Sequence, residues 1–308
     1  MQSSVDYELT SQSKVEFQNE KQLIIPTSHK LIVGDARRVS MESIGNVHLV
    51  VTSPPYWTIR DYGIPGQIGF NQDLAEYIDS LLSVWRKCYD ALCPGCRMII
   101  DIGDQYLRAT KHKAYQIIPL HSYVINSIMN DKRMRMDFLG TIIWRKISTT
   151  KTSGGANVMG SYPYPRNVYP CFENEFIAIF RKEGTPPRPE RPFRDASKLS
   201  LAEWREFTQG VWTFPGTKAG ENPSAFPETL PNRLIRMFSF PGETVLDPFV
   251  GSGTTMRAAA SLGRNSIGIE LGFATRSGKP FEKVIEENVL TAELETYSGQ
   301  PRISVLRV

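Results

Sequence analysis

The sequence predicts an α/β fold built on an open, mostly parallel sheet, and three stretches carry that prediction. An apolar run from His48 to Val51 reads as a buried strand and stops abruptly at Ser53-Pro54-Pro55. Thr244-Val245-Leu246 reads as a second strand, which enters the glycine-rich turn Asp247-Pro248-Phe249-Val250-Gly251-Ser252-Gly253 and then a helix start. A third strand, Ser266 to Ile269, follows that helix and ends in Glu270. Short apolar runs bounded by turn signals and alternating with helical patterns indicate strands joined by crossover helices. In such sheets ligands bind beyond the carboxyl ends of the strands. Ser53 and Glu270, distant in sequence, therefore belong to one edge of a Rossmann-like sheet.

Residues 1–28 are polar with weak periodicity and read as a loosely docked extension. Lys30 to Asp35 reads as a short buried strand with Asp35 at its carboxyl end, a ligand-facing place, though a turn aspartate is the plain alternative. Asp61 to Gly69 is glycine-rich and reads as a cover for a cleft. Asp73 to Leu92 carries Leu74, Tyr77, Ile78, Leu81, Leu82, Trp85 and Cys88 at helical spacing, a core stripe. Pro94-Gly95 ends that helix, and Arg97 to Ile100 is the next strand, followed by Asp101 and Asp104, which read as loop caps. Tyr115 to Met129 predicts a helix, Phe138 to Trp144 and Glu175 to Phe180 strands, and Asn232 to Phe240 a further helix.

Two turns carry the chemistry. Proline cannot donate to a ladder, and it pushes the preceding residue towards an extended conformation. Ser53-Pro54-Pro55-Tyr56 is therefore a stiff turn with free carbonyls beside the rings of Tyr56 and Trp57. Fixed acceptors next to a flat ring suit a planar base with an exocyclic amino group; a strand end that merely packs is the plain alternative. In the second turn, Gly251 and Gly253 permit positive φ and close backbone approach. Thr254 and Thr255 are placed to cap the helix Met256 to Leu262, whose free N–H groups suit a carboxylate. Glu270 then stands where an acid can accept both hydroxyls of a ribose.

Together, Ser53-Pro54-Pro55-Tyr56 and Asp247-Pro248-Phe249-Val250-Gly251-Ser252-Gly253-Thr254-Thr255 resemble the motifs of the S-adenosylmethionine-dependent DNA amino-methyltransferases. The resemblance spans about Lys30 to Leu271, and the order of the two turns is that of the circularly permuted beta group. It implies a Rossmann-like, seven-stranded methyltransferase sheet, permuted, with an antiparallel strand near one edge and an inserted target-recognition region. The implied divisions are a polar extension (1–28), a catalytic half (29–145), a recognition insert including a strand near 175–180 (146–210), a cofactor half (211–290) and a C-terminal tail (291–308). It implies S-adenosyl-L-methionine as cofactor, with Asp35, Asp247, Phe249, Gly251, Ser252, Gly253, Thr254 and Glu270 at its site. Ser53, Pro54, Pro55 and Tyr56 are the implied catalytic residues, with no metal.

The resemblance also makes duplex DNA the partner. The insert mixes basic and aromatic residues, and Arg188, Arg191 and Arg194 are its candidate contacts to phosphates or base edges. A separate restriction endonuclease and a homodimer are compatible with the family. Serine at the head of the catalytic turn is usual for cytosine-N4 enzymes, so cytosine is the expected base. Adenine N6 is the alternative, and a non-catalytic DNA-binding subunit that keeps the fold is the alternative of another class.

Composition fits this reading without requiring it. The 308 residues are 41% hydrophobic and 22% charged, ordinary for a soluble globular chain. A formal charge of +4 permits a nucleic-acid partner. No apolar run approaches a membrane span and no signal peptide opens the chain, so a cytoplasmic protein with reduced cysteines is expected. Cys93-Pro94-Gly95-Cys96 lies between a helix and a strand, the reverse of the order that activates a thiol, and Cys171 reads as structural.

Overall fold

The computed structural model describes residues 25–58, 61–107, 116–147, 163–166, 168, 173–217, 226–273, 275, 277–295 and 298–308. In chain order the strands and helices begin with β1 (Ile25–Val33), α1 (Met41–Ile44), β2 (Val47–Thr52), α2 (Leu74–Ala91), β3 (Leu92–Ile102), β4 (Gln105–Leu107), β5 (Gln116–Ile118) and α3 (Leu120–Met129). They continue with β6 (Met136–Ile147), β7 (Asn174–Lys182), α4 (Arg191–Ala196), α5 (Leu201–Phe207), β8 (Val211–Pro215) and α6 (Thr229–Phe238). The last are β9 (Thr244–Asp247), α7 (Thr254–Ser261), β10 (Asn265–Glu270), α8 (Phe281–Leu290) and β11 (Ser298–Arg307).

Nine strands form one sheet in the order β11-β1-β10-β9-β2-β3-β7-β6-β8. Among them β7 alone runs against the rest, pairing antiparallel with both β3 and β6. The fold class and the reversed strand near one edge are as expected; the strand count is not. The seven expected strands are extended by β8 and β11, one at each edge. β11 occupies what the sequence suggested was a tail, pairing parallel with β1 from Ile25↔Ser298 to Val33↔Arg307. Its Gly299 and Pro301 argue against a central strand, but an outer strand tolerates them. β1 itself begins at Ile25, inside the stretch read as an extension.

Side chains alternate along β2, so Val50 faces one core while Leu49 and Val51 face another; an irregularity between Val47 and Leu49 turns Val47 to the side of Val50. The first core packs α1, α2 and α3, and the second packs α6 and α7. α8 packs on α7 through Ile285 and Val289. The long helix α2 starts where Asp73 and Glu76 form a reciprocal capping box. Its buried stripe includes Tyr77, Leu81, Trp85 and Cys88 as the periodicity predicts, and also Val84 and Ala91, while Leu74, Ile78 and Leu82 pack there only half-buried.

Several element boundaries differ from the sequence reading for local reasons. α3 starts at Leu120 because Pro119 sits at its N-cap, and β5 before it pairs with β4. β3 begins directly after α2 and takes Cys93-Pro94-Gly95-Cys96 into the strand, with Gly95 at φ 74°. Burial pushes the Cys96 thiol up to about 12, so it is unreactive. α6 starts at Thr229, with Pro231 in its first turn, where no N–H is missed. The segment after β7, read as loop, holds α4 and α5, the latter with a Ser200–Glu203 capping box. No helix among the described residues is long and apolar enough to cross a membrane.

Candidate functional site

The parallel strands end together, and a cleft lies beyond their carboxyl ends. It is lined by Gly34 and Asp35 after β1, Ser53 to Tyr56 after β2, Pro248 to Ser252 after β9, and Glu270 to Phe273 after β10. Tyr62, Gly66, Gln67 and Ile68, from the glycine-rich stretch after the Ser53 turn, form a further wall, and Phe226 another. This wall is tied down, since Arg37 donates to the Gly66 carbonyl at 2.6 Å.

The turn after β2 is fixed from its outer side. The Tyr77 hydroxyl donates to the Pro55 carbonyl at 2.9 Å, and Trp57 Nε1 donates to the Gln72 carbonyl at 2.9 Å. Thr58 N–H donates to the Gly69 carbonyl at 3.0 Å. Gly69 has φ 98°, and a Cβ there would stand 3.1 Å from the Tyr56 carbonyl, so the approach requires glycine. No hydrogen bond among the described residues engages the Ser53 hydroxyl or the Pro54 carbonyl, and both residues line the cleft. Of the turn's acceptors, the Pro55 carbonyl is thus taken by Tyr77, while the Ser53 hydroxyl and the Pro54 carbonyl are left to the cleft.

Opposite lies the glycine turn. Gly251 and Gly253 have φ 55° and 90°. Gly251 N–H donates to Glu270 Oε2 at 2.8 Å, and Gly272 N–H donates to Oε1 at 3.0 Å. Burial, partly offset by these two bonds, pushes the Glu270 carboxyl up to about 7. Gly253 is the N-cap of α7, with no side-chain cap, so Thr254 and Thr255 do not cap as the sequence suggested. The first N–H groups of α7 are thus left without a side-chain acceptor, next to Ser252 and Thr254 at the cleft wall.

Two expected site residues hold other places, and a third lines the cleft with its carboxylate already engaged. Asp247 is buried behind both turns and does not line the cleft. It accepts from Thr52 Oγ1 at the end of β2 and from Thr255 Oγ1 at the start of α7, both at 2.6 Å, and from Phe249 N–H at 3.0 Å. One carboxyl group thus ties the Ser53 turn to the glycine turn, and burial pushes it up to about 6. Gly253 also stands off the cleft: a Cβ there would meet Ile285 Cγ2 at 3.1 Å, on α8. Asp35 does line the cleft, yet Arg37 grips its carboxylate through Nε at 2.9 Å and Nη2 at 2.7 Å. Burial alone would raise the Asp35 carboxyl, but the Arg37 bonds and charge hold it below its usual value.

The sequence reading missed a polar cluster behind Tyr56. The registers Ile102↔Phe176 and Trp144↔Glu175 bring the ends of β3 and β6 to the start of β7. There the Tyr56 hydroxyl donates to Glu175 Oε1 at 2.8 Å, and Lys146 Nζ forms an ion pair with the same oxygen. Burial, then the charge of Glu175, pushes the Tyr56 phenol far above its ordinary value. Asp101 is 2% exposed, and no hydrogen bond of ordinary geometry reaches its carboxyl oxygens. Burial and neighbouring Glu175 raise it well above the carboxylate range, which favours the protonated acid. It is therefore not the loop cap the sequence suggested. Asp104 is nearer to one, accepting from His121 Nδ1 at 2.7 Å at the start of α3.

Arg188, Arg191 and Arg194 are exposed but are not brought to the cleft. They follow the far end of β7, and because β7 is reversed, that end lies at the opposite edge of the sheet. A Cβ at Gly95, near the start of β3, would run into Pro186, and one at Gly242, before β9, would lie 3.9 Å from Phe193. Their place in the sequence had suggested DNA contact; their place in the fold removes that argument. The connection between β6 and β7 does leave from the cleft edge. Of it, 148–162, 167 and 169–172 lie outside the described residues, as do Cys171 and Asn222.

Comparison with known proteins agrees with this arrangement. The N6/N4 DNA methylase family matches residues 47–273. The Type II methyltransferase M.MjaI of Methanocaldococcus jannaschii is 34% identical over 295 residues, covering 86% of this chain and 92% of its own. M.MthZI of Methanothermobacter thermautotrophicus is 35% identical over 273 residues, covering 80% of this chain and 73% of its own. A solved structure from Thermus thermophilus, described as a putative DNA modification methylase complexed with S-adenosyl-L-methionine, superposes with a TM-score of 0.70. It is 32% identical and covers 91% of this chain and 98% of its own.

Proposed function

Because the chain belongs to the N6/N4 DNA methylase family, we propose that it methylates the N4 amino group of a cytosine flipped out of duplex DNA, using S-adenosyl-L-methionine. The observation that carries this reading is the turn after β2. Its Ser53 hydroxyl and Pro54 carbonyl are unengaged acceptors facing a cleft that also contains the glycine turn and Glu270.

The cleft fits the cofactor by its chemistry. The uncapped N-terminus of α7 supplies N–H groups for the methionine carboxylate. Each Glu270 oxygen already takes one backbone N–H and keeps a lone pair for a ribose hydroxyl. Phe249, Gly251, Ser252 and Thr254 complete that wall, and Asp35, gripped by Arg37, presents a fixed acid at its far end. Asp247 and Gly253 act from behind, by holding the turn in shape. When bound, S-adenosyl-L-methionine supplies an electrophilic methyl group on a sulfonium.

The remaining work is done by the turn. An exocyclic amino nitrogen is a poor nucleophile because its lone pair is delocalised into the ring. Ser53 Oγ and the Pro54 carbonyl accept its two hydrogens, which favours a pyramidal nitrogen with a localised pair. Tyr56 stacks on the flipped base. These groups are fixed before the base arrives, so little reorganisation is needed at the reaction.

A base enters from the cleft edge, so DNA lies on the side from which the β6–β7 connection leaves. We assign recognition to that connection, and with it the permuted order, since the Ser53 turn precedes the glycine turn in the chain. The relatives are type II methyltransferases, and a restriction endonuclease acting separately fits the same reading. Ser53 supports cytosine, although a hydroxyl also accepts from the adenine amino group. The deciding experiment is exhaustive methylation of unmethylated phage DNA, followed by nucleoside digestion and mass spectrometry. N4-methylcytosine is the expected product; N6-methyladenine would overturn the base assignment.

A further inference from the structure

The cluster behind Tyr56 has no part in the chemistry derived so far. Tyr56 is the member of the cleft turn whose ring would meet the base, and its hydroxyl end points away from the cleft to Glu175. Glu175 is 7% exposed and does not line the cleft. It is itself held on two sides. Lys146 pairs with the oxygen that receives the phenol, and the Lys146 ammonium lies 4.8 Å from the centre of the Trp144 ring. A Cβ at Gly103 would come within 3.2 Å of Glu175 Cγ, so the backbone of the β3 end closes on the carboxylate's stem.

We propose that Glu175, anchored by Lys146, is a positioning residue that fixes the Tyr56 ring as the flat wall against which the flipped base stacks. The inference rests on the reading of the preceding subsection. A phenol ring turns easily about its first two side-chain bonds. A single buried acceptor at its far end selects one orientation, because any other leaves the hydroxyl without a partner. A glutamate serves here because it can accept from the phenol while its charge is balanced by Lys146. The orientation is thus set by β6 and β7, strands that carry no residue of the cleft turn. This connects the β6–β7 connection, to which recognition is assigned above, to the pitch of the ring that receives the base.

The test compares Glu175→Ala, Glu175→Gln, Tyr56→Phe and the Tyr56→Phe/Glu175→Ala double variant with wild type. Single-turnover transfer of a tritiated methyl group to unmethylated phage DNA is measured beside S-adenosyl-L-methionine affinity by calorimetry. Glu175→Ala and Tyr56→Phe are each expected to slow transfer by about tenfold, the loss of one well-placed hydrogen bond. Cofactor affinity should stay within about twofold. Glu175→Gln, which keeps an acceptor carbonyl, should recover most of the rate, and the double variant should be no slower than the slower single. A Glu175→Ala rate equal to wild type, no rescue by glutamine, or multiplicative losses in the double variant would overturn the proposal. If Glu175→Ala does not fold, Tyr56→Phe against Glu175→Gln decides alone: a Tyr56→Phe rate equal to wild type overturns it. A wild-type protein that methylates no DNA at all would instead bring down the underlying reading, and this one with it.

Discussion

Replacing Asp247 by asparagine should make the protein more stable at neutral pH than at acid pH, relative to wild type. The Asp247 carboxyl is 1% exposed and accepts three hydrogen bonds, yet burial still pushes it from 3.8 to about 6. A group whose folded pKa is raised contributes its full share of stability below the unfolded value and loses it as pH rises through the folded one. Between pH 3.8 and about 6, wild type therefore loses about 3 kcal/mol on this group's account, at 1.36 kcal/mol per pKa unit. Asparagine keeps the shape and one acceptor, and it does not titrate. Its Nδ2 faces the Thr255 hydroxyl, which must turn round to accept; that costs about 1 kcal/mol at every pH. The difference between the two proteins, not either curve, is the measured quantity, because all other carboxyls are shared. Urea denaturation at several pH values should show the asparagine variant gaining on wild type by about 3 kcal/mol as pH rises from about 4 to about 7. A difference that stays flat would refute the argument that burial strains this charge.

Three further outcomes follow from the same structure. Ser53→Ala should slow single-turnover methylation by roughly 100-fold, as loss of a preorganised polar group does in other active sites; calorimetry should show cofactor affinity unchanged. Gly253→Ala should destabilise by about 1–2 kcal/mol in urea titrations, because φ 90° strains any side chain and the new Cβ meets Ile285 at 3.1 Å. Arg188→Ala, Arg191→Ala and Arg194→Ala combined should leave the salt dependence of DNA binding unchanged; a slope reduced by about one unit per arginine would show that DNA reaches the far edge of the sheet.

Much of the fold was legible because its central strands announce themselves. Val47–Thr52 and Thr244–Asp247 are apolar runs that end at prolines or glycines, and Ser53 and Gly251 follow those ends while Glu270 closes β10. What failed depends on register. Glu175, Lys146 and Asp101 meet only because β7 runs backwards between β3 and β6, and no local pattern in the sequence encodes that alignment. The same reversal sends Arg188, Arg191 and Arg194 to the far edge, although their neighbours in the chain lead from the cleft. β8 did carry a signal: Trp212 and Phe214 are buried while Val211, Thr213 and Pro215 are exposed, the alternation of a half-buried strand. Asp247 looked like a ligand because of its place in the motif, but the two threonines that occupy its two oxygens were visible only in three dimensions.

The pairing of β1 with β10 and β11 fixes the order in which this chain can be completed. His29 lies opposite both Ser266 and Ile303, and Val50 lies opposite Leu246, so the β11-β1-β10-β9 side of the sheet joins strands from both ends of the sequence and is stitched to β2. As the chain leaves the ribosome, β1 and β2 expose unpaired edges until about two hundred more residues have been made. Such long loops must close before their contacts give any return, which makes folding slow and the nascent chain prone to aggregate. β11 is therefore the latch of this sheet edge. Until it docks, β1 lacks its outer neighbour, so that edge closes only after the strand Ser298–Arg307 has been made.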